Sequence, residues 1–183
     1  MKRKTTKEIL ADSLRELAER KNIDRITVKD IVGNCGYSVA TFYRHFKDKY
    51  DLIAWEEACS TAAIMEKVGE DGYVWRDTLL DGARAFYERK EYLKNLFLHT
   101  SGMDSFIRYK TDLNYEWLRK CVLQAVDEID EIMDMYIRLY VTGSVYLTCE
   151  WILEKYHASV EELAEVYEKS LPEPLHQYLY ERN

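Results

Sequence analysis

Apolar residues recur at helical spacing through most of the chain, and nowhere do they alternate as a half-buried strand requires. Leu10, Leu14, Leu17 and Ala18 fall on one helical face behind Thr5 and Glu8, which have the spacing of a capping box. Asn22 suits a left-handed stop to this helix. Thr27 is a good N-cap for a second helix, with Val28, Ile31 and Val32 inward and Gly36 as its stop. Ser38 caps a third helix that runs to about Phe46. Asp48 caps a fourth, striped by Leu52, Trp55, Cys59 and Ala62 or Ala63. Three short helices in close succession, the last two joined at Gly36-Tyr37, make a helix-turn-helix pattern.

Residues 69–72, with a glycine at each end, form the clearest break. Beyond it the spacing predicts helices over 75–90, 92–99 and 103–126, the last behind a turn at Ser101-Gly102. The run 128–156 is apolar at Ile129, Ile132, Met133, Tyr136, Ile137, Tyr140, Val141, Val145, Trp151 and Ile152. Those positions cover more than one face, which predicts burial or a subunit interface. Ser159 and Glu162 form another capping box, opening a helix with Val160, Leu163, Tyr167 and Leu171 that Pro172 stops. The expected fold is all-α, about nine helices. Residues 1–50 form a three-helix domain with its helix-turn-helix at about 27–46, and residues 51–183 form a helical regulatory body.

Composition agrees with that pattern. Seven glycines and two prolines are few for a sandwich or barrel, and 47% hydrophobic content is ample for a core. Four dispersed cysteines without a CxxC pair read as reduced thiols, with Cys59, Cys121 and Cys149 expected as inert core groups. The N-terminus MKRKTTKEIL has no apolar leader core, and no stretch approaches the roughly 18 apolar residues of a membrane span. A cytoplasmic protein without membrane partners is expected.

Charge changes the picture more. The net charge of −7 argues against a nucleic-acid partner until it is divided along the chain. Residues 1–50 hold 12 Lys and Arg against 7 Asp and Glu, a net of +5. The remainder holds 14 against 26, a net of −12. A basic head on an acidic body suits a small DNA-binding module carried by a larger regulatory part.

On a helical wheel, Phe42 and Phe46 of the third helix point the same way, into a core with the first two helices. Ala40 and Arg44 share the opposite face, flanked by Thr41 and Tyr43, and Val39 sits at the border. Such a helix suits a DNA major groove: Ala40 can approach a thymine methyl and Arg44 can bind guanine through two hydrogen bonds. Thr27, Ser38, Thr41, Tyr43, Lys47 and Lys49 can bind phosphates without reading sequence. The basic arm Lys2-Arg3-Lys4 can add backbone or minor-groove contacts.

The stretch ITVKDIVGNCGYSVATFYRHFKDKYDLI resembles the signature of the TetR/AcrR family of bacterial transcriptional regulators. Agreement falls on Thr27, Ile31, Gly36, Ser38, Thr41, Phe42-Tyr43, His45-Phe46, Lys49 and Leu52. The resemblance implies that the third helix reads the major groove, that Tyr43 and Lys49 touch phosphates, and that His45 belongs to the DNA-binding motif. It also implies a helical ligand-binding and dimerisation domain. Gly33, Cys35, Tyr37 and Ala40 depart from the family's usual residues, and only Ala40 faces the groove.

The body holds most of the 15 tyrosines. An amphipathic ligand could be lined by Phe86, Phe97, Phe106, Tyr109, Tyr115, Trp117, Tyr140 and Tyr146. Tyr140-Val-Thr-Gly143 and Glu150-Trp151-Ile152 are similar to a Firmicutes-type TetR subgroup that includes activators of dihydroxyacetone-kinase operons. That similarity leaves two readings open, control by a small effector or by a protein partner. The family resemblance also implies a homodimer built on helices at about 128–156 and 159–171, binding a palindromic double-stranded operator. No catalytic motif, cofactor site or metal site is expected: the four histidines are scattered, and the acids of 127–134 fall on a solvated helix face.

Overall fold

Side-chain caps decide where the first helices begin. The computed structural model describes residues 3–70, 72–99 and 103–180. Among them lie ten α-helices, and no strand occurs. They are α1 (Thr6–Ala18), α2 (Val28–Cys35), α3 (Val39–Tyr43), α4 (Lys49–Met65), α5 (Trp75–Glu88), α6 (Lys90–His99), α7 (Met103–Val122), α8 (Glu131–Ile152), α9 (Val160–Lys169) and α10 (Glu173–Leu179). Thr5 caps α1 and Thr27 caps α2, each in a full capping box, with Glu8 and Asp30 answering from the third position. Gly36 closes α2 with φ +74, a left-handed conformation that costs glycine nothing.

The expectation of about nine helices agrees with the ten observed, nine of which have seven residues or more. Pro172 does stop the preceding helix, but it also opens α10, the tenth, with a second proline in its first turn. Asn22 is not left-handed either: it is extended (φ −61, ψ 138) and leads into a single 3-10 turn, Ile23–Arg25. The turn expected at Ser101-Gly102 lies outside the described residues, as does Asp71 within the break between Gly69 and Gly72.

The chain divides into two compact units, and the division falls within α4. One comprises the chain up to Cys59 together with the segment that begins at Glu91; the other takes Ser60–Lys90 and the chain from Asp104 onward. In the first unit Leu10, Leu14, Ile23, Ile26, Ile31, Phe42 and Leu52 are sealed from solvent. Ser13 ties α1 to α2, donating to the Ile31 carbonyl at 2.7 Å. Asn95 of α6 joins this unit by donating to the carbonyls of Ala18 and Lys21 and accepting from the Ile23 amide. One side chain thereby satisfies three backbone groups where α1 ends.

The second unit centres on a cluster that includes Trp75, Leu118, Val122, Ile137, Val141 and Val145. Leu175 and Leu179 bring α10 into the same cluster, joined by Leu171 just ahead of it. Cys121 and Cys149 are buried, whereas Cys59 is exposed, so it is not the core thiol expected. Asp134 likewise leaves the solvated acidic face assigned to it and bonds to Arg119 and the Tyr115 hydroxyl.

Candidate nucleic-acid interface and interior cavity

The α2–α3 segment is built from the inside outward. Phe42 is fully buried, with Phe46 at 5.8 Å between ring centroids and Trp55 of α4 at 5.7 Å beyond it. Lys7 of α1 lies 5.4 Å from the Phe46 and Trp55 ring centres, covering them with a cation. These anchors fix the rotation of α3 and leave its other face in solvent.

On that face Ala40, Tyr43, Arg44 and His45 are exposed, with Tyr43 at 57%. Ser38 and Lys47 are exposed beside them, while Val39 and Thr41 are half-buried. Ser38 Oγ accepts from the Thr41 amide at 3.1 Å and shares a 2.9 Å hydroxyl bond with Thr41. Arg44 in turn donates to Thr41 Oγ1 at 3.0 Å. A chain of polar bonds therefore leads from the cap of α3 to its arginine. Regular helix ends at Tyr43, short of the expected Phe46, because the last turn tightens. Both His45 and Phe46 amides donate to the Phe42 carbonyl as the chain turns toward α4.

Two predicted phosphate contacts sit in tighter surroundings than sequence implied. Thr27 Oγ1 both accepts from the Asp30 amide and donates to the Asp30 carboxylate. Lys21 also donates to that carboxylate at 2.8 Å. Lys21 first, then the Thr27 amide, hold the Asp30 pKa at about 2. The depressed pKa means the charged cap is present above the ordinary carboxylate range and is lost only as pH falls toward 2.

Lys49 bonds to protein where a phosphate contact was expected. Its ammonium donates to the carbonyls of Ile23, Asp24 and Ile26 at 2.6, 2.9 and 2.9 Å. Burial pushes its pKa down. Lys49→Ala should therefore destabilise the first unit by about 1–3 kcal/mol in a denaturant melt, since a charged donor to three carbonyls is lost. The salt dependence of DNA binding should stay as in the parent. An unchanged melt with a salt slope lower by about one would restore the phosphate role. Of the basic arm, Lys4 pairs with Asp12 at 2.6 Å and Arg3 is exposed, while Lys2 lies outside the described residues.

The second unit holds a partly open cavity of about 140 Å³. Two of the eight aromatic positions expected around a ligand, Phe86 and Tyr140, stand on its wall. The other six do not. Phe97 belongs to the first unit, and Phe106 is buried away from the wall. Tyr115 bonds to Asp134 beneath the Arg138 guanidinium, and Trp117 lies under Lys120. Tyr109 and Tyr146 face outward. Sequence reasoning missed Lys110, Thr61, Asn114 and Tyr167 on the wall. A signal was present: Lys110 and Asn114 interrupt an otherwise apolar series on α7 at Phe106 and Leu118, four residues apart throughout.

Tyr140 donates to the Tyr167 carbonyl at 3.0 Å, and Tyr167 shares a 2.6 Å hydroxyl bond with Thr148. Burial raises the Tyr140 pKa to about 12 and pushes that of Tyr167 up as well, so both stay neutral donors.

The comparisons agree with the geometry. Residues 10–54 match the profile of bacterial regulatory proteins of the tetR family, and residues 74–172 match a transcriptional regulator C-terminal region. The second match alone spans more than half of the 183 residues. The fold and its helix-turn-helix are those of a DNA-binding transcriptional regulator. Within that class, the chain belongs to the TetR family.

The HTH-type dhaKLM operon transcriptional activator DhaS of Lactococcus lactis subsp. lactis (strain IL1403) is 24% identical over 101 residues. That match spans about half of each protein, 55% of this chain and 54% of the relative. The solved structure of a dihydroxyacetone kinase operon activator DhaS superposes with a TM-score of 0.67 at 18% identity, covering 95% of this chain and 96% of that one. The transcriptional regulator FadR from Bacillus subtilis, solved with stearoyl-CoA, gives 0.53 at 14% identity, covering 96% and 99%. At these identities the likeness is one of fold. Among the described residues, no helix is long and apolar enough to cross a membrane.

Proposed function

We propose that this chain is a homodimeric regulator that binds a palindromic operator through α3 and responds to a small ligand in its second unit. The observation that carries the DNA reading is the division of α3, with Phe42 sealed and Ala40, Tyr43 and Arg44 in solvent. In a major groove, Ala40 packs on a thymine methyl and Arg44 faces the O6 and N7 acceptors of guanine. The bond from Arg44 to Thr41 holds the guanidinium in place, so less side-chain freedom is lost on docking. Tyr43, His45, Lys47, Ser38 and Thr27 surround the reading face as backbone contacts, and Val39 lies at its edge.

Arg44→Ala tests the assignment. Operator affinity should fall by about 1–3 kcal/mol, with discrimination relaxed at one base position. An equal loss on random DNA, measured by anisotropy at matched salt, would mean that Arg44 meets only the backbone.

Support for the dimer comes from α8. Its inner face carries Ile137, Tyr140, Val141 and Val145, all buried. Its outer face presents Ile132, Met135, Tyr136, Leu139 and Tyr146 to solvent, and Val166 of α9 is exposed as well. Apolar side chains repeating three and four residues apart on an open face are suited to a matching helix of a second copy. A Cβ added at Gly143 on that face meets nothing within 4 Å of this chain. The glycine is therefore not demanded by packing within the chain, and a partner helix can approach closely there. Two α3 helices related by the two-fold would enter successive major grooves about 34 Å apart.

The interior cavity favours a small effector over control by a protein partner, which needs no space inside the body. The stearoyl-CoA complex of FadR lends support from a protein of the same fold.

A further inference from the structure

Between α1 and α2 the chain makes one 3-10 turn, Ile23–Arg25, whose N-cap Asn22 forms no side-chain cap bond. No glycine or proline stands between Ala18 and Val28 to fix the turn locally. Ile23 and Ile26 are sealed in the core, so the backbone groups beside them need partners. Two side chains from distant parts of the chain supply most of these. Lys49, the first residue of α4, donates to the carbonyls of Ile23, Asp24 and Ile26. Asn95 of α6 donates to the carbonyls of Ala18 and Lys21 at 2.7 and 2.9 Å, and its oxygen accepts from the Ile23 amide at 3.0 Å.

Two acceptors and one donor around Asn95 fit an amide group in a single orientation, and no other side chain of that size offers both roles. Ile23 is thereby gripped at both ends, its N–H by Asn95 and its C=O by Lys49. The grip on the N–H side is firm. Tyr92, Leu93, Leu96 and Phe97 are buried around Asn95, so α6 is anchored within the first unit. The chain nevertheless enters and leaves that stretch, 91–103, from the second unit.

What the turn controls lies directly after it. Thr27, one position past Ile26, caps α2, and eight residues later Gly36 turns the chain into α3. An error in the turn therefore carries to the reading helix with little chain to absorb it. Contacts to base edges need side chains held within about 0.5 Å of their productive placement.

We propose that Asn95 is a positioning residue for operator docking. It holds the turn that sets the start of α2, and through α2 the pose in which α3 enters the groove. The DNA-binding unit is thus not the first three helices alone; α6 completes it. This inference rests on the assignment of α3 as the reading helix.

Asn95→Ala in the full chain tests it, by anisotropy on operator and random duplex and by hydrogen exchange. Operator affinity should fall at least tenfold. Random duplex is held through charge, which tolerates a small change of pose, so that affinity should stay within about twofold. Exchange at the Ile23 amide should accelerate, while α3 and the second unit keep the protection of the parent. Should Asn95→Ala fail a circular-dichroism check for folding, Asn95→Asp takes its place. The carboxylate has the same shape and still accepts from Ile23, but it cannot donate to the two carbonyls at neutral pH. Operator affinity should again fall at least tenfold with random binding retained.

Operator affinity within twofold of the parent in a folded variant would overturn the inference. So would unfolding of both variants, or equal loss on both duplexes together with lost protection in α3, since Asn95 would then serve stability only. Parent binding, measured first, reports on the regulator reading alone, and the ratio of variant to parent reports on Asn95. A parent that bound no operator would remove that reading and this inference with it.

Discussion

Leu139→Asp should leave the chain monomeric and remove operator binding. Leu139 is 72% exposed in the single chain, so its replacement disturbs no core within the protomer. In the proposed dimer it sits inside an apolar helix pair, where an aspartate would have to lose its water without gaining a cation. A central interface residue of this kind costs about 2–4 kcal/mol when lost. Breaking the dimer also forfeits the gain from linking two reading helices, on the order of 10²–10⁴ in affinity. Sedimentation should show one protomer, circular dichroism should show unchanged helix content, and anisotropy should show operator affinity at the level of random DNA. A dimer that survives Leu139→Asp would place the interface elsewhere.

Phe42→Ala should have the largest effect on the DNA-binding unit itself. Phe42 is fully buried, packs on Phe46 and lies edge-on to Tyr43 at 5.6 Å. Removing a buried aromatic ring costs about 3–5 kcal/mol, comparable with the whole stability of a small domain. Hydrogen exchange should accelerate through α1–α3, and binding to operator and random DNA should be lost together. The second unit should keep its protection. Wild-type protection in α3 would mean that Phe42 does not anchor the reading helix.

The contrast between those two variants follows what the sequence made legible. Helical spacing located α1 through α9, and the caps Thr5, Thr27, Ser38, Asp48 and Ser159 are local signals that need no tertiary information. Phe42 and Phe46 were readable as anchors because four-residue spacing puts them on one face. Ambiguity began where one residue does two things. Pro172 ends one helix and begins another, and spacing alone reports only the ending.

Lys49 shows a different limit. Its place in the motif suggested a phosphate contact, but the carbonyls of Ile23, Asp24 and Ile26 are some 25 positions earlier in the chain and meet it only after folding. The proposed effector site was the least legible part. Aromatic content pointed to eight residues, yet aromatic rings also fill cores, bind cations and cover interfaces. Tyr115 bonds to both members of the Arg119–Asp134 ion pair, and Tyr146, like Tyr136, is exposed on α8. Lys110 and Asn114, polar side chains within an apolar series on α7, stand on the cavity wall instead.

The most direct measurement is an anisotropy titration of the full chain on the intergenic DNA upstream of its own gene, repeated at graded salt. Saturable binding of one dimer per palindromic site is expected, at least tenfold tighter than on random duplex of equal length. The logarithm of affinity should fall linearly with the logarithm of salt concentration. No binding at low salt, or equal binding to every sequence, would contradict the assignment of α3 as a reading helix.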